Sequence, residues 1–225
     1  MNDTHPDQAV EALKAYPTAL ITDAMKRLKI KQAWATGLSR ISRPAARLAG
    51  RAVILNYAKA GTGSGMNLAG QFDIIEDCRP GDVLLYAALG VDAWLVGDNV
   101  ANYAMNCRLG GIVVDGGARD ADDLARADLP IFAKSVSARP YSYEIWLEAI
   151  NQPTAFAGAL VKRNDIVVGD GDGILIVPSE RAGEVIDQLG DLDKIDRELA
   201  ESIARRAPLS DVNAIAARKG VLYPA

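Results

Sequence analysis

The segment "VGDNVANYAMNCRLGGIVVDGGARD", residues 96–120, runs through a glycine turn, a helix-like stretch, an apolar strand-like stretch and a second glycine turn. Asp98 comes directly before the helix-like stretch 99–107, and Arg119 and Asp120 follow the second turn. This order is typical of α/β sheets, in which ligands gather at the carboxyl ends of the strands. The segment is therefore either a pair of ordinary turns or one site assembled from two consecutive loops.

Taken singly, each turn has a plain structural interpretation beside the functional one. Asp98 either caps the helix, or the amides around it, those of Gly97, Asn99 and Val100, bind a carboxylate or phosphate. The unpaired N–H groups and partial positive charge of a helix start favour such an anion. The charged residues of the second turn form either a surface ion pair or a cap on the helix that begins at Ala121.

Composition narrows the classes of partner. The 225 residues carry a net charge of −4 with a pI of about 5.1, and 49% are hydrophobic. Because no basic stripe is present, we expect no nucleic-acid partner. The polar start and the lack of a long apolar run predict neither a signal peptide nor a membrane span. With Cys78 and Cys107 read as reduced core residues, a cytoplasmic protein is expected.

Histidine is almost absent, which limits the possible chemistry. His5 is the single histidine and lies near the start of the chain. A serine or cysteine nucleophile activated by histidine is therefore disfavoured, as is a histidine-rich zinc or iron site. Any acid–base or metal chemistry must come from carboxylates, lysine, arginine, water and the backbone.

Hydrophobic periodicity predicts one α/β domain over residues 1–225, with a mixed sheet and a C-terminal helical arm over about 179–225. Thr18 is a candidate N-cap for the second helix. An arm of this kind often packs on a neighbouring subunit. The predicted helices span 7–16, 18–28, 67–78, 99–107, 121–127, 179–206 and 210–219, and the predicted strands span 51–58, 83–88, 131–137, 156–161, 165–168 and 174–177, besides the strand of the quoted segment.

Two further glycine-rich loops carry weak signals. The spacing of "GTGSG", residues 61–65, is not that of a dinucleotide loop, and no phosphate-binding lysine follows. It is interpreted as a flexible turn that can still border a ligand site. "GDGDG", residues 169–173, lacks the later glutamate of an EF-hand and is interpreted as a hairpin turn.

Taken together, the two turns of residues 96–120 favour the functional interpretation, because Asp98, Arg119 and Asp120 form the pattern D-x20-R-D. This pattern resembles the divalent-metal pyruvate aldolases that cleave 4-hydroxy-4-methyl-2-oxoglutarate or 4-carboxy-4-hydroxy-2-oxoadipate. These enzymes belong to the wider family of the regulator of ribonuclease E activity A (RraA). The resemblance extends over about residues 18–220. Its other motifs are "CRPGDVLL" at 78–85, "GGIVVDGGARD" at 110–120, "DIVV" at 165–168 and "DGILIV" at 172–177.

The resemblance implies a fold and an activity. The fold is a three-layer sandwich of the swivelling β/β/α type with a mixed sheet. The activity is that of a carbon–carbon lyase that releases pyruvate from a 4-hydroxy-2-oxo di- or tricarboxylic acid through a metal-stabilised enolate. Oxaloacetate decarboxylation is implied as a side activity. A homotrimer or homohexamer with the active site at the subunit interface is also implied.

The same resemblance implies a metal site built from carboxylates. Asp120 corresponds to the direct ligand of Mg²⁺ or Mn²⁺, and Asp98 to the acid that orients a water of the metal. Such hard ions keep several waters and need few protein ligands. A further acid is implied from the C-terminal helix of the next subunit, for which Asp196 is the first candidate and Glu198 the alternative.

The implied substrate contacts surround this metal. Arg119 corresponds to the residue that contacts the ketone oxygen and stabilises the enolate. Gly97 and the amides of Asn99 and Val100 correspond to the carboxylate-binding group. The family often places a substrate-binding asparagine before the Pro-Gly-Asp turn. Asn67 is the candidate here, although it stands one residue out of step.

Three alternatives stay open at this point. One is a non-catalytic RraA-like regulator that binds a ribonuclease. The resemblance implies that regulators of this kind lack the acid after the arginine. Another is a related lyase or isomerase on another keto or hydroxy acid, with a Schiff-base amine at Lys59 or Lys134 as a variant. The last concerns Arg139, which either reads a second substrate carboxylate or is a solvated loop residue.

Overall fold

The computed structural model describes residues 7–31, 33–43, 47–61, 70–141 and 144–220. These residues divide into two compact units, which are described separately. A helical unit is formed by the described parts of 1–31 and 180–225, and a sheet unit by those of 32–179.

The helices and strands follow one another along the chain with short connections. The helices are α1 (Gln8–Lys14), α2 (Thr18–Arg27), α3 (Gln71–Glu76), α4 (Asp98–Asn106), α5 (Ala121–Leu124), α6 (Ala182–Ala204) and α7 (Leu209–Ala217), with a 3₁₀ turn at Ser179–Arg181. The strands are β1 (Trp34–Ala35), β2 (Ser39–Arg40), β3 (Leu48–Lys59), β4 (Val83–Val96), β5 (Gly111–Ala118), β6 (Ile131–Val136), β7 (Ile145–Ile150), β8 (Thr154–Phe156), β9 (Ala159–Val161), β10 (Ile166–Asp170) and β11 (Gly173–Val177).

The sheet unit is built on a mixed sheet with strand order β1-β11-β10-β3-β4-β5-β6-β2, and β7 pairs with β3 outside this path. Strands β3, β4, β5 and β6 run parallel to one another, whereas β1, β2, β7, β10 and β11 pair antiparallel with their neighbours. A separate hairpin is formed by β8 and β9. The parallel centre explains the continuous apolar runs of the sequence, because parallel strands are covered on both faces.

Successive residues of the central strands face two different hydrophobic cores in alternation. In β5, Ile112 and Val114 face a core shared with Val100 of α4 and Leu124 of α5. Val113, between them, faces a second core on the opposite side, which includes residues of the β8–β9 hairpin. Every residue of β5 is buried. The strand that leads into Arg119 and Asp120 is therefore held rigidly from both sides.

The helical unit is organised around α6, against which α1, α2 and α7 pack. Its apolar positions Val185, Leu189, Leu192 and Ile195 are all buried, as expected for the core-facing stripe of an amphipathic helix. In the described part of the chain, no helix is long and apolar enough to cross a membrane. The predicted α/β class, with a mixed sheet and C-terminal helices, is confirmed.

The structure corrects several details of the sequence prediction. Thr18 is the first residue of α2 and not its cap; the N-cap position belongs to Pro17, which offers no side-chain bond. The single strand predicted over 156–161 is a hairpin, because Ala157 and Gly158 both take a positive φ and turn the chain. Only Gln71–Glu76 of the helix predicted over 67–78 is observed, and residues 62–69 lie outside the described residues.

Candidate active site

Strand pairing brings the two turns of the quoted segment together. Parallel strands β4 and β5 pair Val96 with Ala118 at their carboxyl ends. The Arg119 amide then donates to the Val96 carbonyl at 2.9 Å. Because β4 and β5 leave the sheet at the same point, Asp98 and Asp120 become neighbours although 22 positions separate them.

The glycines that precede Arg119 permit a close approach of backbone. A Cβ atom on Gly117 would lie 2.8 Å from the Ala93 carbonyl oxygen, and one on Gly116 would lie 2.9 Å from Leu95 Cδ1. Neither glycine has a positive φ. The irregular second half of β4, where the pairing register shifts, therefore folds tightly over β5.

Asp120 has an uncommon conformation. With φ 59° and ψ 42° it is left-handed, and it occupies the N-cap position of α5 without a side-chain cap bond. A left-handed residue with a Cβ is disfavoured by roughly 1–2 kcal/mol. The carboxylate leaves its own helix: Oδ2 accepts a hydrogen bond from the Asp98 amide at 3.1 Å. The ordinary interpretation of Asp120 as a helix cap is thus wrong.

Gly97 makes room for this carboxylate. It is the N-cap of α4, with an extended φ of −137° that any residue can adopt. A Cβ atom here would overlap Asp120 Oδ2 and would stand 3.2 Å from both Cγ and Nε of Arg119. Space, and not backbone freedom, is what requires glycine at this position.

Arg119 projects from the same turn and is held on two sides. Its Nε lies 3.5 Å from Asp120 Oδ2, and its side chain is 46% exposed. Its Cζ lies 3.9 Å from the centroid of the Trp94 ring. Trp94 was missed by sequence reasoning, which had only an aromatic residue near a strand end as a signal.

Asp98 begins α4, and its carboxylate bonds locally. Oδ1 accepts a hydrogen bond from the Asn99 amide at 2.7 Å. One of the two amides predicted to bind a substrate carboxylate is therefore occupied by Asp98 itself. Among the described residues the Val100 amide has no hydrogen-bond partner. It is the donor at this helix start that remains available to an anion.

The carboxylates can be compared with what a divalent ion requires. Asp120 Oδ2 and Asp98 Oδ1 accept amide hydrogen bonds, while Asp120 Oδ1 and Asp98 Oδ2 have no hydrogen-bond partner in the described part of the chain. The described residues contain no group of three or more His, Cys, Asp or Glu side chains that could hold one metal ion together. Such a sparse oxygen set fits a hard, largely hydrated ion and does not fit zinc or iron.

A shallow cavity of about 270 Å³ adjoins Asp98 between α4 and α5. Its lining includes Asn102, Asp123 and Arg126. The last two form an ion pair of 2.5 Å with each other. Asp98 also lines this cavity, whereas Arg119 and Asp120 do not.

The two acids predicted to come from the C-terminal helix are engaged within the helical unit. Asp196 forms an ion pair with Lys219, which also lies 3.1 Å from Asp23. Glu198 accepts a hydrogen bond from Arg218 at 2.5 Å. The contribution of either acid to the site stays a prediction. Asn67 and residues 62–65 of the glycine loop lie outside the described residues.

The remaining predicted pocket residues also have partners. Lys134 Nζ lies 2.8 Å from Oδ1 of the buried Asp115. The amine that a Schiff base would need is therefore engaged by a buried carboxylate. Arg139 is paired with Glu144. Tyr57 is buried, and burial, together with the neighbouring Tyr141, raises the pKa of its phenol well above the usual range.

Comparison with known proteins identifies the family of this chain. The sequence model of the RraA-like family, described as Aldolase/RraA, matches residues 18–176. A relative from Halalkalibacterium halodurans, named "Putative 4-hydroxy-4-methyl-2-oxoglutarate aldolase", is 30% identical over 149 residues, which is 66% of this chain and 67% of that protein.

Solved structures give the same result. An uncharacterized protein from Pseudomonas syringae has a TM-score of 0.78 at 23% identity and covers 91% of this chain and 96% of its own. Streptomyces coelicolor RraAS2, described as an unusual member of the RNase ES inhibitor RraA family, has a TM-score of 0.73 at 26% identity, covering 89% and 98%. The chain therefore belongs to the RraA-like family.

Proposed function

We propose that this protein is a divalent-metal-dependent lyase that cleaves a 4-hydroxy-2-oxo acid to pyruvate. Oxaloacetate decarboxylation is proposed as a second activity, since both reactions pass through the pyruvate enolate. The observation that carries the proposal is the position of Asp120. It takes a disfavoured left-handed conformation, leaves α5 uncapped and meets the Asp98 amide beside Arg119. Such outliers concentrate at functional sites, where packing maintains them.

The steps of the cleavage reaction determine three tasks that the site must perform. The hydroxyl on C4 loses its proton and becomes a carbonyl as the C3–C4 bond breaks. The electron pair of that bond moves toward the C2 ketone and forms the enolate. A proton then adds to C3 and gives the methyl group of pyruvate. The site must therefore bind the keto acid, stabilise an oxyanion and exchange a proton.

Arg119 suits the oxyanion role. Its guanidinium stays charged at any ordinary pH, and it lies beside the acidic pair with nearly half of its side chain exposed. A fixed donor placed where negative charge develops typically contributes about 10²–10³ in rate. The Val100 amide at the start of α4 suits the substrate carboxylate, because the helix end adds partial positive charge.

Asp98 suits proton exchange through water. Its second oxygen has no hydrogen-bond partner among the described residues, and Asp98 lines the groove between α4 and α5. A water molecule that donates a hydrogen bond to the Asp98 carboxylate and accepts one from the C4 hydroxyl is the proposed carrier of the hydroxyl proton. Asp120 would hold Mg²⁺ or Mn²⁺. When bound, this ion supplies Lewis-acid polarisation of the keto acid.

A regulatory role is the second candidate, and one observation favours it. The 26%-identical Streptomyces protein is described as a member of an RNase ES inhibitor family. The presence of Asp120 distinguishes the lyase from the regulator, because the family resemblance implies that the inhibitors lack an acid at this position. A ribonuclease-binding protein needs neither a strained carboxylate nor a divalent ion.

The test is pyruvate release from a panel of 4-hydroxy-2-oxo acids and from oxaloacetate, followed with a coupled reductase. We expect activity that disappears after chelation and returns with Mg²⁺ or Mn²⁺. Blanks with metal and no protein are essential, since free ions decarboxylate oxaloacetate. Activity that survives thorough chelation would exclude the metal mechanism. Absence of activity together with tight ribonuclease binding would establish the regulator instead.

A further inference from the structure

We infer that Trp94 is a positioning residue that fixes the Arg119 guanidinium for the reaction. This inference rests on the proposed function. The indole ring lies at the end of β4, three residues before Gly97, and Arg119 Cζ is 3.9 Å from its centroid. No other aromatic ring of the described residues makes a cation–π contact with Arg119.

Arg119 depends on this contact because its other anchor is loose. The Nε atom lies 3.5 Å from Asp120 Oδ2, beyond the usual length of an N–H···O hydrogen bond. Arginine has several rotatable bonds, and the Arg119 side chain is 46% exposed. Without the ring, the guanidinium would sample many positions. Tryptophan offers the strongest cation–π surface among the aromatic side chains.

The ring can act as a fixed surface because it is itself held. The Trp94 amide donates to the Arg139 carbonyl at 2.8 Å. Its indole meets Tyr141 edge to face, with centroids 6.1 Å apart and an interplanar angle of 81°. Tyr141 in turn meets the buried Tyr57 at 6.0 Å and 88°. This row of rings connects the Arg119 contact to the hydrophobic core.

A Cζ–centroid distance of 3.9 Å is short enough to require the face of the guanidinium against the ring, since an N–H group pointing at the ring would hold Cζ farther away. A guanidinium has five N–H donors, all in its own plane. An aromatic ring against the face leaves these donors directed outward at the edge. Trp94 can therefore hold the cation without competing for the N–H groups that would meet the ketone oxygen.

The first experiment compares Trp94→Leu with Trp94→Phe in the lyase assay. Trp94→Leu should lower kcat about tenfold while KM changes less than about threefold, because orientation and not substrate binding is lost. Trp94→Phe keeps an aromatic face and should recover much of kcat. Trp34→Leu removes a 41%-exposed tryptophan on β1 and should leave both constants unchanged. Equal kcat values for Trp94→Leu and the wild type would overturn the positioning role.

The second experiment measures the contact without any reaction. The Nε–Hε resonance of Arg119, assigned by its loss in Arg119→Lys, should be shifted upfield by the ring current of Trp94. The shift should vanish in Trp94→Leu. An unshifted resonance in the wild type would overturn the stacking, whatever the activity. A shifted resonance in a protein with no lyase activity would overturn the proposed function, and the positioning role of Trp94 in the reaction with it.

Discussion

Two turns of this protein combine aspartate with glycine at the end of a strand, and they use their acids in opposite ways. In the turn between β10 and β11, Asp170 Oδ1 accepts from the Asp172 amide at 3.0 Å, and a glycine, Gly173, takes the positive φ of 138°. In the turn after β5, an aspartate takes the positive φ, and its carboxylate reaches the Asp98 amide 22 positions away.

The hairpin turn uses its acid locally, whereas the β5 turn uses its acid over a long range. A carboxylate that accepts from an amide two residues along is an ordinary turn device. A hydrogen bond to an amide 22 positions away is not, and the Asp120 side chain makes it instead of a cap bond to its own helix. We conclude that composition does not distinguish a structural acid from a functional one. The partner of the carboxylate does.

The largest expected effect comes from removing the charge of one acid in each turn. Asp120→Asn should lower pyruvate release about a thousandfold or more, because a neutral amide is a poor ligand for a hard divalent ion. Asp172→Asn, in the hairpin turn, should change the rate by less than about twofold. Steady-state assays at saturating Mg²⁺ check both. Equal rates for the two variants would remove the distinction between the turns.

The next effect concerns the arginine of the β5 turn. Arg119→Met should lower kcat about 10²–10³-fold through loss of the oxyanion donor. Arg119→Lys keeps the charge but not the planar fork and should be intermediate. Arg181→Met, which removes a half-buried arginine paired with Glu184 at 2.5 Å, is the matched control and should leave kcat unchanged. A fully active Arg119→Met enzyme would show that the guanidinium plays no part.

A smaller effect is expected from adding one methyl group to a glycine in each turn. Gly97→Ala directs a Cβ into the Asp120 carboxylate, whereas Gly171 has no atom within 4 Å of such a Cβ. Displacement of a reacting group by about 1 Å can lower the rate up to about 10²-fold. We expect a tenfold or greater loss for Gly97→Ala and none for Gly171→Ala. Thermal denaturation of both variants should confirm that the fold is retained.

The smallest expected effect concerns the backbone strain at Asp120, which two substitutions at this position can measure. Asp120→Gly and Asp120→Ala both lack the carboxylate, so they differ in their tolerance of φ 59°. Asp120→Gly should have a free energy of unfolding about 1 kcal/mol higher than Asp120→Ala. Urea denaturation of the pair measures the difference. Identical stabilities would mean that the turn relaxes and that no strain is held there.

The central helix and strands could be predicted from sequence because their signals are local. The helix predicted over 99–107 is observed as Asp98–Asn106, and the apolar run before Arg119 is β5. Strand β7 was missed, since "IWLEAI" has no clear alternation and is fixed by antiparallel pairing with β3. The extension of β4 past residue 88 was also missed, because Gly90 interrupts the apolar run; in the structure Leu89 and Gly90 both take a positive φ within the strand.

The proximity of the two turns could be predicted from sequence, but their geometry could not. The spacing of Asp98 and Arg119 indicates adjacent loops once a parallel β4–β5 pair is assumed, and that pairing is observed. The left-handed Asp120 and the ring contact of Trp94 depend on how the irregular part of β4 folds over β5. Long-range packing of this kind leaves no periodic trace in the sequence.

The most direct test of a shared site is a crystal of the full chain soaked with Mn²⁺ and oxalate, an analogue of the pyruvate enolate. We predict an anomalous peak for Mn²⁺ in direct contact with the Asp120 carboxylate, with oxalate between the ion, Arg119 and the start of α4. An ion bound away from Asp120, or oxalate bound away from Arg119, would contradict the proposal that the two turns form one active site.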